Sequence, residues 1–249
     1  MYLKQIHIQT EETKGTLYIT DDAGYAHNLK IQGCAVLPYF HEGNRYQDFT
    51  EFLFGVEQPE NLDAEYLEKV YRRLAGLPWK IIETDRCLIR ETTVEDVDAF
   101  WEIYREPSIT RYTDHLYPEI EQEKNYVREY IEKVYTYYEY GVWTIVEKSR
   151  GLVIGRAGFS ARPGYEDPEL GFVIGVPWQG KGYAYEVCSA ILDYGWEQLG
   201  FEEVQALVDP GNQTSLSLCK KLGFEMESTA DKPEIVDGRN YSLLKRRKR

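Results

Sequence analysis

Fourteen residues, Gly171-Phe-Val-Ile-Gly-Val-Pro-Trp-Gln-Gly-Lys-Gly-Tyr-Ala184, constrain the fold of this 249-residue chain more than any other stretch. Leu170, Phe172, Ile174 and Val176 recur at period two. Ala184, Val187, Cys188, Ile191, Leu192 and Leu199 follow a helical period, so a strand gives way to a helix near Pro177. Gly180 and Gly182 sit at the switch, where glycine permits backbone angles closed to other residues and lets a ligand approach the main chain. The first N–H groups of the new helix have no intrahelical partner, which makes the turn an anion cradle. A helix terminus contributes only about 0.3–1 kcal/mol per favourable charge, so several N–H groups must converge on one phosphate. Lys181 adds a full charge. Neither G-x-G-x-x-G nor G-x-x-x-x-G-K-[ST] is present, which directs the reading away from nucleotide fingerprints and toward another pyrophosphate.

Gln179-Gly180-Lys181-Gly182-Tyr183-Ala184 resembles the [RQ]-x-x-G-x-[GA] loop of the GNAT N-acetyltransferases, in the form found in the branch containing the ribosomal-protein N-terminal acetyltransferases. Asn212-Gln-Thr-Ser215 followed by Lys221-Leu-Gly223-Phe224 resembles that branch's second motif, and Leu88-Ile-Arg90 through Asp96 resembles its opening strand and helix. The resemblance spans about residues 84–245. It implies a mixed α/β sheet, acetyl-CoA as cosubstrate, no metal, and direct acetyl transfer to a primary amine. It places Ile174, Val176, Gln179, Gly180, Lys181, Gly182, Tyr183, Ala184, Asn212 and Ser215 at the coenzyme. A non-catalytic acyl-CoA sensor on the same scaffold is the alternative.

The chemistry sets demands on further residues. At pH 7 a lysine amine is neutral about once in 2,500 molecules and an α-amine about once in ten, so a base matters more for a lysine acceptor. Glu169 precedes the coenzyme strand and is the candidate base, with a solvated acidic turn beside Glu166 and Asp167 as the competing reading. Cys219 occupies the position where many GNAT enzymes carry a tyrosine that protonates the departing thiolate; packing on an apolar helix face is its competing role. Tyr112 and Tyr117, between two predicted helices, are the candidate acceptor-binding residues, because tyrosine faces attract ammonium groups.

A net charge of −13, with basic Lys245 to Arg249 masking a still more acidic remainder, disfavours a nucleic-acid surface and suits a cationic amine. The acidic chain must then gather positive charge where the coenzyme docks, and Lys181, Lys220 and Lys221 are placed to do so. Widely spaced Cys34, Cys87, Cys188 and Cys219 indicate reduced thiols rather than a disulfide or zinc framework. There is no apolar run long enough for a membrane span and no signal-peptide pattern, so the cytoplasm is expected. A protein N-terminus, a small amine and a second copy of the chain in a homodimer are the expected partners.

Two domains are expected, residues 1–80 and 81–249. In the first, Thr16 to Thr20 reads as a strand, Asp21 to Ile31 as a helix capped by Asp21, Cys34 to Leu37 and Phe52 to Val56 as strands, and Leu62 to Leu74 as a helix. In the second, Thr92 and Glu95 form a capping box. A helical stripe of Ile120, Val127, Ile131, Val134 and Tyr138 precedes a hairpin of Val142 to Val146 and Leu152 to Ile154.

Overall fold

The computed structural model describes residues 2–10, 13–227, 234–236 and 238–248; Arg249 of the basic tail lies outside them. The chain divides into two compact units, Met1–Trp79 and Lys80–Arg249.

In the first unit β1 (Leu3–Gln9) and β2 (Lys14–Thr20) form an antiparallel hairpin, and β3 (Ala35–Pro38) joins β2 in parallel through α1 (Ala23–Ile31). Asp22, not Asp21, caps α1: its carboxylate accepts from the Tyr25 N–H at 2.7 Å, while Asp21 is drawn to the Tyr2 N–H. Phe52 to Val56 is not a strand. Only Val56 bridges to Tyr39, because Gly55 lies against the Phe40 ring and the chain turns there. In α2 (Ala64–Leu74) the buried face is centred on Leu67 and Val70, and Tyr66 is exposed, since a strict four-residue row drifts off a 3.6-residue helix.

The second unit is a nine-stranded sheet in the order β10-β12-β9-β8-β7-β6-β5-β4, with β11 added on β12. Its strands are β4 (Lys80–Glu83), β5 (Cys87–Arg90), β6 (Val142–Glu147), β7 (Leu152–Ser160), β8 (Glu169–Ile174), β9 (Glu203–Val208), β10 (Glu225–Met226), β11 (Glu234–Val236) and β12 (Arg239–Arg247). Neighbours are antiparallel except β8 and β9, which are parallel and share one register pair, Glu169 opposite Gln205, among the described residues. Beyond that pair the two strands separate. The sheet opens there, and alternate N–H and C=O groups on the β9 side of β8 are left for other partners.

Helices cover both faces: α3 (Asp96–Tyr104), α4 (Pro107–Thr110), α5 (Ile120–Tyr130), α6 (Thr136–Tyr138), α7 (Tyr183–Glu197) and α8 (Gln213–Lys221). Ala157 and Phe159 of β7 meet Val187, Cys188, Ile191 and Leu192 of α7 in the main core. The Thr92–Glu95 capping box does not form. Asp96 instead accepts from the Thr93 N–H at 2.8 Å and from Arg90 at 2.6 Å, because an ionised carboxylate paired with a guanidinium makes the stronger bond. Between α5 and α6 the chain makes a π-helical turn, Ile131–Tyr135. The inserted residue rotates the later part of the stripe, so Tyr135 is fully buried in place of Val134. β8 ends at Ile174, and Val176 lies exposed in a 3₁₀ turn, Val176–Trp178, whose Pro177 cannot extend a ladder. β7 runs six residues past Ile154.

Candidate active site

Gly180 and Gly182 adopt φ of +70° and +84°, the left-handed region that L side chains resist. Gly182 is the N-cap of α7, and no side chain among the described residues caps it. The first-turn N–H groups of α7 are thus free to meet an anion. Arg86 braces the loop, donating to the Glu186 carboxylate at 2.6 Å and to the Lys181 carbonyl at 3.0 Å while stacking on Tyr183. Its Glu186 bond raises the guanidinium's pKa. The Gln179 side chain donates to the Ile174 carbonyl at 2.8 Å, tying the loop to the end of β8.

A cleft of about 480 Å³ runs from this loop along the end of β8 to the start of α8. Ile174, Gln179, Gly180, Gly182, Tyr183, Ala184, Asn212 and Ser215 line it. Lys181 and Val176 do not: the Lys181 ammonium turns back to the Pro177 carbonyl at 2.8 Å, and Lys221, seated over the Tyr185 ring, is the lysine on the cleft wall. Asn212 caps α8 by accepting from the Ser215 N–H at 3.1 Å, which sets Ser215 and Leu218 toward the cleft.

A second cavity of about 350 Å³ adjoins the first. Tyr112, Thr113, Phe172, Val173, Asn212 and Ser215 belong to both, so the two hollows meet at β8 and the start of α8. Glu169 lines the second cavity, buried, with its carboxylate held by the Arg162 guanidinium. Tyr112 stands at the junction, its hydroxyl donating to the Gly211 carbonyl at 3.1 Å. Tyr117 lies elsewhere, half exposed in a separate hollow with Trp101 and His115 and stacked on Tyr126. Cys219 is fully buried in the core and lines neither cavity; burial pushes its thiol up to about 11.

Sequence reasoning missed Arg156, Arg162 and Asp209, all on the wall of the second cavity. Arg156, Gly158, Ser160 and Arg162 alternate with buried Ala157 and Phe159, the signature of a half-buried strand whose polar face meets a cavity. Asp209 was legible as a turn residue only. Its Oδ1 accepts from the Gly211 N–H at 2.7 Å, and no bond among the described residues engages Oδ2. Among the described residues no group of three or more His, Cys, Asp or Glu could hold a metal, and no helix is long and apolar enough to cross a membrane.

A sheet parted at its one parallel pair, an uncapped helix after a glycine turn, and a second cavity reaching the same point define an acyl-coenzyme A transferase. The profile of the acetyltransferase (GNAT) domain matches residues 86–225, and the chain belongs to that family. It is 27% identical to an uncharacterized N-acetyltransferase of Bacillus licheniformis over 66% of this chain and 95% of that one. It is 29% identical to the ribosomal protein uS5 alanine N-acetyltransferase of Escherichia coli (strain K12), over 66% of this chain and 88% of the relative. The crystal structure of a GNAT-family acetyltransferase from Bacillus anthracis shares the fold with a TM-score of 0.55 and 21% identity, covering 66% of this chain and 95% of that one. The protein is an acetyl-CoA-dependent N-acetyltransferase acting on an amine, and the non-catalytic sensor reading gives way to the catalytic one.

Proposed function

We propose that the amine acceptor is an α-amino group, either of a protein N-terminus or of a small molecule, and that it enters through the second cavity to meet the thioester at Tyr112, Asn212 and Ser215. The observation that carries this reading is the junction of the two cavities beside Asp209. An α-amine is neutral about once in ten molecules at pH 7, so it needs placement more than a strong base. Asp209 Oδ2 receives the ammonium, and Glu169, already engaged by Arg162, stiffens the wall instead of abstracting the proton.

The ammonium first gives one proton to water; the neutral nitrogen then attacks the carbonyl carbon, a C–N bond forms, the C–S bond breaks, and the nitrogen's second proton passes to Asp209 or water. The departing thiolate takes a proton from solvent while the Ser215 hydroxyl, on the wall of both cavities, donates a hydrogen bond to the sulfur. Positioning of this kind supplies about 7–11 kcal/mol in favourable systems.

The test is thiol release from acetyl-CoA with an α-amine peptide, the same peptide blocked at its N-terminus but carrying a free lysine, and a polyamine. The α-amine peptide is expected to turn over fastest, and Asp209→Asn is expected to raise its KM about tenfold or more, the scale of a lost bond to a charged group. Equal turnover of the blocked peptide, or an unchanged KM in the variant, defeats the reading.

A further inference from the structure

Arg156 projects from the middle of β7 onto the wall of the second cavity. Its register partner is Val173 of β8, while Ser160, farther along the same face, sits opposite Glu169. The guanidinium rests against the rings of Phe100 and Tyr104, with its central carbon 5.5 and 4.8 Å from their centroids, and its Nε donates to the Tyr104 hydroxyl at 2.8 Å. That is the one hydrogen bond it makes among the described residues, and no carboxylate there pairs with it.

The neighbouring charges are already committed. Glu169 is closed by Arg162, Asp114 by Arg239, and the buried Glu123 accepts from the Tyr117 N–H at 2.9 Å, acting on Arg156 only through space. Burial works to lower the pKa of Arg156, yet Tyr104 and Glu123 outweigh it, so the group stays a cation.

A partly buried cation on a cavity wall, with no carboxylate paired to it among the described residues, is costly unless an anion meets it, and the planar fork matches a carboxylate. Asp209 lies on the wall of the same cavity, and no bond among the described residues engages its Oδ2. We infer that the acceptor is a carboxylate-bearing amine, an acidic peptide or amino-acid-like molecule, whose carboxylate is held by Arg156 while its amine lies toward Asp209. This rests on the α-amine reading and narrows it: polyamines and uncharged amines lack the group that Arg156 awaits.

Binding calorimetry on protein saturated with coenzyme A separates the two readings, because it needs no turnover. The probes are two matched pairs, glycylglycine against glycylglycinamide and Ala-Asp amide against Ala-Asn amide. The acid member of at least one pair is expected to bind about tenfold or more tightly, the scale of a charge-assisted bidentate contact. In Arg156→Gln the ratio is expected to fall to near one, and in Arg156→Lys, which keeps the charge without the fork, to fall but stay above one; cooperative melting shows that each variant is folded. Equal binding within both pairs, no binding of any probe, or a wild-type ratio in Arg156→Gln overturns the inference. Thiol release measured in parallel reports on transfer alone: a binding preference without release leaves the carboxylate site standing and removes the α-amine reaction.

Discussion

Arg162 closes on Glu169 across the turn from β7 to β8, Nε meeting Oε2 and Nη2 lying 3.4 Å from Oε1. Burial works to lower the pKa of this arginine, but the carboxylate outweighs it, and the pair forms one unit of the cavity wall. Glu169→Gln and Arg162→Gln are each expected to lower kcat/KM for the amine by about tenfold. The double variant is expected to be no worse than either, a coupling of about 1–2 kcal/mol between contacting residues. Independent, additive losses measured by steady-state kinetics contradict a shared role.

Gly182→Ala forces an L side chain into φ +84° at the head of α7. The left-handed region costs about 1–2 kcal/mol, so calorimetry should find acetyl-CoA bound about tenfold more weakly as the loop relaxes. Gly33→Ala is the control. It imposes the same strain at φ +77° after α1 and is expected to lower the melting temperature without changing coenzyme affinity.

Thiol labelling distinguishes core from surface. Cys87, Cys188 and Cys219 are buried and Cys34 is partly exposed, so a maleimide at pH 8 is expected to add once, at Cys34. Burial holds the Cys219 thiol near about 11, where thiolate is scarce at that pH. Cys219→Ala is expected to keep the pH profile of kcat and lose about 1 kcal/mol of stability, as a small core truncation does. An adduct on Cys219, or a lost alkaline limb in the variant, places that thiol at the chemistry.

Glu203 on β9 bridges Lys245 at 2.7 Å and also meets Arg247, both on β12. Hydrogen bonds to Lys245 and Arg247 hold its carboxyl at about 2, well under the usual carboxylate range. The contribution is therefore complete above about pH 5 and fades as pH falls from the unfolded value near about 4.3 toward 2. Arg247 is mostly exposed and screened by salt, so about 1 kcal/mol is expected. Glu203→Gln should melt a few degrees lower than the parent at pH 7, with the gap closing by about pH 2–3; a gap that is constant with pH argues against the ion pairs.

Local signals carried much of the fold. The period change at Pro177, the glycines that follow it and the Asn212 cap are each read within a few residues, and they appear at those positions in the structure. Errors arose where a distant partner outbid a near one. Thr92 of the expected Thr92–Glu95 box is instead engaged by Tyr135 and Thr144, more than 40 residues on, and the π-helical turn moved burial from Val134 to Tyr135. Tyr117 does lie in the loop between helices, yet its ring stacks on Tyr126 of the next helix, outside the second cavity.

The glycine turn, the strand before it and the amphipathic helix after it were determined by sequence alone, because backbone freedom and side-chain period act over short spans of chain. Only tertiary structure decided where the sheet opens and what faces the opening. Strand register is a non-local choice: the pairing of Arg156 with Val173 and of Ser160 with Glu169, and the separation of β8 from β9 beyond Gln205, bring Arg156, Arg162 and Asp209 to one cavity. Residues 47 or more apart in the chain, as Arg162 and Asp209 are, share that wall through cross-strand geometry that no local pattern encodes.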